Sequence, residues 1–302
     1  MITTCLSPEV RTMRRATFLT RLALAVGIIA LPLRPAIAAE PTAAPLTCIL
    51  GAFDDELTLL YQALAGPKEE VLHGIHFASG KLKGRSVIVC RSGIGKVNAA
   101  MVTTLLIEHY QPSEIIFCGI AGGINPDLHP GDIVIAAKTA QHDFGTLRAE
   151  GMEVRGTKSP VTWQRNPLFV EPDARLMALA EAAGNRIKLA DIKTSEGERH
   201  PRIIKGIVAT GDIFVASPAK KAELRKTLGA DAVEMEGAAV AQVCRDLRVS
   251  WLVIRSISDR ADHNALQDVD SFTAVAAQNA AQLVMDIVGH LAAPPATGKA
   301  GK

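Results

Sequence analysis

Two carboxylates lie in a stretch of sequence that is otherwise small and apolar, A-V-E-M-E-G-A-A-V at residues 232–240. Burying an unpaired charge is expensive, so both acids need partners. If a strand continues through them, Glu234 and Glu236 share one face, and Glu236 emerges at the carboxyl end of the strand. Because one carboxylate can accept two O–H donors, this position suits a ligand with two vicinal hydroxyls. The alternative is that Glu236 caps the helix that follows.

A third candidate acid ends the last apolar run of the chain. Arg255 and Ser256 lie inside the run W-L-V-I-R-S-I-S-D, and Asp259 follows at its end. Burial raises the pKa of an aspartate, and a raised pKa suits a general acid. A structural ion pair between Arg255 and Asp259 is the alternative.

Three further acids follow the first strand-like run. Asp54, Asp55 and Glu56 fall in the first turn of a helix-like segment. Acids in that position complement the helix dipole and cap free N–H groups. This explanation accounts for acids in general and does not choose among the three.

Two glycine-rich segments also follow strand-like runs, C-G-I-A-G-G-I at residues 118–124 and R-S-G-I-G-K at residues 91–96. Glycine lets the backbone approach a ligand closely and present its N–H groups. A tight turn would use the same residues. The second segment lacks the spacing of a phosphate-binding Walker loop.

Short apolar runs alternate with segments of helical periodicity from about residue 46 onward. This alternation predicts a single α/β domain over residues 46–291, with a mixed, mostly parallel β-sheet flanked by helices on both faces. Ligands of such sheets bind beyond the carboxyl ends of the strands, where the candidate acids and glycines fall. Residues 141–172 are polar and irregular, which is typical of a lid or binding loop. The predicted strands are 47–52, 86–91, 114–119, 132–137, 203–210, 230–235 and 251–257, and the predicted helices are 54–65, 96–109, 173–183, 218–228, 237–247 and 271–291.

The first 38 residues are predicted to be a signal peptide. Arginines precede an apolar stretch at residues 22–31, and Ala36-Ile37-Ala38 matches a signal peptidase site. The apolar stretch is far shorter than the roughly 20 residues that a membrane-spanning helix needs. We therefore expect an exported, periplasmic protein without membrane insertion after processing. Residues 292–302 are expected to form a disordered tail.

Removal of the signal peptide changes the charge of the chain. The full sequence has 33 basic and 31 acidic residues, and residues 1–38 hold five and one of them, which leaves 28 against 30 and a net charge of −2. No basic stripe remains, so nothing indicates a nucleic-acid partner.

Four cysteines remain after processing, Cys48, Cys90, Cys118 and Cys244. They form no C-x-x-C pair, and no histidines lie at metal-ligand spacing. Buried free thiols are therefore favoured over disulfides, and no metal or organic cofactor is indicated.

Taken together, these segments resemble the 5′-methylthioadenosine/S-adenosylhomocysteine nucleosidase family of the nucleoside phosphorylase/nucleosidase superfamily. The resemblance spans about residues 47–290, with the matching segments in family order. It implies a nucleoside phosphorylase-like fold and hydrolysis of the N-glycosidic bond between adenine and a ribose. The matching segments are GAFDDEL, SGIGKVNAA, CGIAGGINPDLHPGDIVIA, ATGDIFV, VEMEGAAVAQVC and IRSISDRAD.

The resemblance implies a role for each candidate acid. Asp259 would protonate adenine N7, with Ser258 orienting it. Glu56 would activate the attacking water, assisted by Arg255, and Glu236 would hold the ribose 2′ and 3′ hydroxyls. A sugar that becomes cationic in the transition state is stabilised there by a nearby anion, and a poor leaving group needs an acid. The other implied substrate-binding residues are Met235 beneath the sugar, Phe214 stacked on the base, Val215 reading the base edge, Glu234 as a supporting acid, and Ile120, Ala121 and Gly122 in the glycine loop.

The sequence departs from the family pattern at three places. Ile120 replaces a serine that helps to place the water, so water positioning would rest more on Glu56 and Arg255. Phe53 replaces a methionine and should narrow the floor of the pocket. The segment at residues 142–145 retains little of the family sequence, which leaves the preferred 5′ substituent open. The resemblance also implies a homodimer in which a neighbour completes the pocket for that substituent.

Two other functions compete with this interpretation. A phosphate-dependent purine nucleoside phosphorylase needs a phosphate site, yet Ile120 and the lack of arginine in residues 118–131 favour water. A non-catalytic nucleoside-binding protein would keep the pocket without the chemistry, and the intact acids Glu56, Glu236 and Asp259 argue against it.

Overall fold

The computed structural model describes residues 45–194 and 197–291. The predicted signal peptide and the predicted C-terminal tail lie outside these residues. The elements are β1 (Leu46–Gly51), α1 (Asp54–Ala63), β2 (Ala65–Leu72), β3 (Ile75–Leu82), β4 (Arg85–Arg91), α2 (Lys96–Tyr110), β5 (Glu114–Gly123), β6 (Ile133–Gln141), β7 (Gly145–Arg148), β8 (Gly151–Val154), α3 (Ala174–Arg186), β9 (Ile192–Thr194), β10 (Gly197–Arg199), β11 (Ile203–Thr210), α4 (Pro218–Leu228), β12 (Ala232–Glu234), α5 (Gly237–Asp246), β13 (Ser250–Asp259) and α6 (Ala265–Gly289).

A nine-stranded mixed sheet forms the centre of the fold, in the order β12-β11-β6-β13-β5-β1-β4-β3-β2. The pairs of β1 with β4 and β5, of β5 with β13, and of β11 with β6 and β12 are parallel. The short strand β12 pairs a second time, antiparallel with the end of β5. The five strands β12, β11, β6, β13 and β5 therefore form a closed, barrel-like part of the sheet. The α/β fold class predicted from sequence is confirmed.

Successive residues of β1 face opposite sides of this sheet, as a strand requires. Cys48 and Leu50 belong to a core that α2 and α5 cover, whereas Ile49 belongs to a core covered by α1, α3 and α6. Both faces are thus buried under helices, which explains the continuous apolar strand sequences. The four cysteines within the described residues are free and buried, as the sequence predicts.

The hairpin of β2 and β3 was not expected from the sequence. The strand β2, A-G-P-K-E-E-V-L, is almost wholly exposed and carries a proline and three charges, so it shows no apolar alternation. The turn contains His73 and Gly74, both with positive φ (53° and 80°), which matches a two-residue hairpin turn.

Several element bounds differ from the predicted ones. The strand β5 continues four residues beyond Gly119, because its end pairs with β12 and β13. Residues 141–172, expected to be irregular, contain the hairpin of β7 and β8. The last helix begins at Ala265 rather than at residue 271. Among the described residues, no helix is both long and apolar enough to cross a membrane.

Candidate active site

Three neighbouring strands bring the candidate residues to one edge of the sheet. The strand β5 lies between β1 and β13 and runs parallel to both. Arg255 is opposite Gly119, and Asp259 is opposite Gly122. The segment that follows β1, the glycine loop at the end of β5 and the end of β13 therefore meet at the carboxyl ends of the strands.

Glu56 is buried in this region, whereas Asp54 and Asp55 are exposed. Its Oε2 accepts a hydrogen bond from the Ala52 N–H at 2.5 Å, and its Oε1 accepts one from the Ile120 N–H at 2.8 Å. Burial raises the pKa of Glu56, and the Arg255 charge and the backbone N–H donors oppose that rise. The tertiary structure thus selects one of the three acids, which helix capping could not do.

Gly119 makes this placement of Glu56 possible. A Cβ on Gly119 would lie 2.2 Å from Glu56 Oε1, far inside any allowed contact. The first glycine of the loop is therefore required so that the carboxylate can approach the backbone of β5.

Glu234, rather than Glu236, holds the start of α5. Its Oε2 accepts hydrogen bonds from the N–H groups of Glu236 and Gly237 at 3.1 and 2.7 Å. The same oxygen accepts from Arg255 Nη2 at 2.5 Å and Nε at 3.1 Å, and the Thr210 hydroxyl donates to Oε1. Glu234 is thus engaged by the protein itself.

Glu236 sits at the N-cap position of α5, but its side chain makes no capping hydrogen bond. Its Oε1 accepts instead from the Gly95 N–H at 2.8 Å, and its Oε2 lies 3.8 Å from Arg255 Nη2. Burial, together with the charge of Glu234, raises the pKa of Glu236 to about 8. The helix-capping alternative for this residue is therefore wrong.

Arg255 connects the carboxylates. It is 1% exposed, and its guanidinium carbon lies 4.1 Å from the centre of the Phe117 ring. Burial alone would lower the pKa of Arg255, but the charges of Glu234, Glu56 and Glu236 raise it. The guanidinium therefore stays cationic, and its ion-pair partner is Glu234 instead of the Asp259 considered from sequence.

Asp259 is the last residue of β13 and is 1% exposed. Its Oδ2 accepts from Ser258 Oγ and its Oδ1 from the Ala261 N–H, both at 2.8 Å. Burial raises the pKa of Asp259, and the negative charges of Asp268 and Asp262 raise it further. The two hydrogen bonds lower it in part. A Cβ on Gly122 would lie 2.9 Å from Oδ1, so this glycine too leaves room for a carboxylate.

The residues expected to contact the adenine base lie on the segment that follows β11. Phe214 and Val215 follow β11, and Phe214 is 45% exposed whereas Val215 is buried. Val215 belongs to the same apolar cluster as Ile124 and Ala261, which places it with the loop that bonds Asp259. Met235 is half-buried between β12 and α5, Ile120 is half-buried at the end of β5, and Ala121 and Gly122 are buried.

Sequence reasoning missed the contacts that fasten the loop before α2. The Lys96 N–H donates to Asp212 Oδ1 at 2.7 Å, and Lys96 Nζ donates to Asp143 Oδ1 at 2.6 Å. The Asp212 N–H in turn donates to Asp143 Oδ2 at 2.8 Å. These bonds hold Gly95 where it meets Glu236. Asp212 follows the predicted strand 203–210 by two residues, whereas Asp143 follows β6 by two residues only because that strand continues to Gln141, beyond its predicted end.

The described residues contain no group of three or more His, Cys, Asp or Glu side chains that could hold a metal ion. The expectation that no metal or cofactor takes part stays a prediction. The site thus combines the buried carboxyl group of Asp259 with three further buried carboxylates and an arginine that interacts with those three.

Comparisons with known proteins identify the family of this chain. A sequence model described as the Phosphorylase superfamily matches residues 47–289. A 5′-methylthioadenosine/S-adenosylhomocysteine nucleosidase of Shewanella pealeana is 38% identical over 244 residues, which are 80% of this chain and 98% of the relative.

Solved structures show the same relationship. The nucleosidase of that name from Neisseria meningitidis, in complex with methylthio-immucillin-A, has a TM-score of 0.70 and 34% identity, covering 82% of this chain and 99% of that one. A futalosine hydrolase of Helicobacter pylori has a TM-score of 0.71 and 32% identity, covering 82% and 99%. The chain therefore belongs to the phosphorylase superfamily and, within it, to the 5′-methylthioadenosine/S-adenosylhomocysteine nucleosidase family of N-glycosyl hydrolases.

Proposed function

We propose that this protein hydrolyses the N-glycosidic bond of adenine nucleosides such as 5′-methylthioadenosine or S-adenosylhomocysteine and releases adenine. The observation that carries the proposal is the placement of Asp259 and Arg255 on one strand, with Arg255 lying between Glu234 and Glu236 and close enough to Glu56 to influence its pKa.

Asp259 is the general acid of the proposed reaction. Its raised pKa favours the protonated form, which a proton donor to adenine N7 needs. The hydrogen bonds from Ser258 and Ala261 fix the orientation of the carboxyl group. Protonation of the base makes it a better leaving group, a contribution of about 10²–10⁴-fold for a well-placed acid.

Glu236 is the ribose ligand. In the absence of substrate its pKa of about 8 keeps it largely protonated at neutral pH. Two ribose hydroxyls that donate to the carboxylate would favour its charged form and lower that pKa. The resulting Glu236 anion lies beside a sugar that gains positive charge in the transition state. It therefore stabilises the transition state more than the bound substrate.

Glu56 is the base that activates water. The backbone donors of Ala52 and Ile120 hold both of its oxygens in place. A base acting on water from the side opposite to the leaving group follows the logic of inverting glycoside hydrolysis. Since Ile120 offers no side-chain hydroxyl, the water has Glu56 and Arg255 as its ligands.

The decisive experiment is a nucleoside panel assayed for free base, with and without phosphate. The panel contains adenosine, 5′-methylthioadenosine, S-adenosylhomocysteine and futalosine, since a futalosine hydrolase is among the similar structures. We expect adenine release in water alone. Strict dependence on phosphate would make the protein a phosphorylase, and binding without release over hours would make it a nucleoside-binding protein.

Export to the periplasm and homodimer formation are part of the same proposal. The support for export is the sequence of residues 1–38, and the support for a dimer is membership of the family. Fractionation of cells that express the full chain tests the first, and light scattering on the processed protein tests the second. Retention of the intact chain in the cytoplasm, or a monomeric mass, would contradict the respective part.

A further inference from the structure

One peptide bond next to Asp259 is held from both of its sides. The N–H of the Arg260–Ala261 peptide donates to Asp259 Oδ1 at 2.8 Å. The carbonyl of the same peptide accepts from Lys221 Nζ, on α4, at 2.6 Å. A side chain on a distant helix is thus joined to Asp259 through a single peptide group.

The conformation of this peptide needs such support. Ala261 is buried and has a φ of +52°, in the left-handed region that a residue with a Cβ rarely adopts. A conformation of this kind is strained and persists only where surrounding contacts hold it. Packing of Ala261 in the cluster with Val215 is one such contact, and the hydrogen bond from Lys221 is another.

The charges around Asp259 show why Lys221 matters electrostatically. Asp262 and the α6 residue Asp268 both raise the pKa of Asp259. The Arg260 side chain extends to His129, at 3.3 Å. Burial lowers the pKa of Lys221, while the charges of Asp262 and Asp259 raise it, so the ammonium gains from an ionised Asp259.

We propose that Lys221 is a positioning residue that acts on Asp259 through the Arg260–Ala261 peptide, holding its carboxyl group in place and favouring its ionised form. The inference rests on the proposed role of Asp259 as general acid. A carbonyl that accepts a hydrogen bond from a cation makes its own peptide N–H a stronger donor. A stronger donor stabilises the carboxylate, so Lys221 limits the rise that burial causes in the pKa of Asp259.

The test is the pH dependence of kcat in Lys221→Met and Lys221→Arg. Since Asp259 must be protonated to act, kcat falls as pH rises through its pKa. Without Lys221 that pKa rises, and the falling limb should move to higher pH by about 0.5 unit, a roughly threefold change in proton affinity. Lys221→Arg keeps a cationic donor and should restore the limb at least in part.

Lys220→Met is the matched control, because Lys220 neighbours Lys221 in sequence but pairs with Glu223 at 2.8 Å. Its profile should superimpose on that of the parent. A profile of Lys221→Met that superimposes likewise would overturn the inference, even if its melting temperature fell. Lys221→Gln, which keeps a donor without the charge, serves as a milder variant should Lys221→Met fail to fold, and its limb should shift by a smaller amount in the same direction.

A titration without turnover separates this inference from the proposed function. The Asp259 carboxyl resonance, assigned by its loss in Asp259→Asn, is followed by carbon-13 NMR in the parent, in Lys221→Met and in Lys220→Met. A higher pKa in Lys221→Met, but not in Lys220→Met, supports the coupling even if Asp259 is not the acid. An unchanged pKa refutes it, whereas full activity of Asp259→Asn refutes the proposed function alone.

Discussion

Arg255 Nη2 and Glu234 Oε2 lie 2.5 Å apart in the interior of the protein, with both side chains almost completely buried. Glu234 also accepts two backbone N–H groups at the start of α5. The ion pair therefore ties β13 to the turn that carries Glu236. Glu234 Oε2 therefore stabilises the positive charge of Arg255 and also holds the backbone of Glu236 in position.

Replacement of Glu234 by alanine should destabilise the protein strongly. Arg255 would remain buried without its closest anion, and two N–H groups and the Thr210 hydroxyl would lose their acceptor. Breaking a buried pair in this way costs about 3–5 kcal/mol. Urea denaturation measures the free energy of unfolding. Glu223→Ala, which removes an exposed pair, is the control and should change it by less than about 1 kcal/mol.

Asp259→Asn should nearly abolish adenine release while leaving nucleoside binding largely intact. Asparagine keeps the shape of the side chain but has no acidic proton to give, so we expect a loss of about 10²–10⁴-fold in kcat. Single-turnover kinetics and calorimetric binding measure the two effects. Asp270→Asn, at an exposed site on α6, should behave as the parent does. Near-normal turnover by Asp259→Asn would show that Asp259 is not the general acid.

Glu236→Gln should reduce activity on ribonucleosides more than on deoxy analogues that lack the 2′ or 3′ hydroxyl. A ribose ligand loses its charge-assisted hydrogen bonds only when the substrate supplies the donors. The ratio of kcat/KM for adenosine and 2′-deoxyadenosine, in parent and variant, measures the effect. Equal losses on both substrates would show that Glu236 does not hold the hydroxyls.

The same variant should change the pH dependence of stability. The pKa of Glu236 rises from its ordinary 4.5 to about 8 in the folded protein, chiefly through burial. The folded state thus holds this proton more tightly, and the contribution to stability is complete below about pH 4.5 and is lost as pH rises through about 8. Glu236→Gln cannot ionise, so its unfolding free energy should fall less between pH 5 and 8. Parallel slopes for parent and variant in urea titrations would contradict the raised pKa.

Glu56→Gln should bind nucleoside without releasing base. Glutamine cannot take a proton from water, and its NH₂ group would face one of the two N–H donors of Ala52 and Ile120. Loss of that acceptor should also cost about 1–3 kcal/mol of stability. Crystals or filtration assays would then retain intact nucleoside. Asp55→Asn, at the exposed neighbour, should turn over normally, and rapid turnover by Glu56→Gln would exclude Glu56 as the base.

Most of the architecture was open to prediction because it depends on local periodicity. The central strands and helices have the apolar patterns of buried elements, and their bounds, apart from the start of α6, agree with the structure to within four residues. The hairpin of β2 and β3 was not predicted because the exposed strand β2 has no apolar pattern. The last four residues of β5 were not predicted because they pair with β12 and β13, which lie more than a hundred residues away in sequence.

The sequence by itself determined that acids and glycines follow the strands, and its resemblance to a family assigned them roles. Only the tertiary structure decided their partners: Glu234 with Arg255, Glu236 with the Gly95 N–H, and Glu56, among three adjacent acids, with Ala52 and Ile120. The physical reason is that a buried carboxylate is stabilised by whichever donors the packed sheet brings within about 3 Å. Those donors lie up to 141 residues away along the chain, where no local pattern can indicate them.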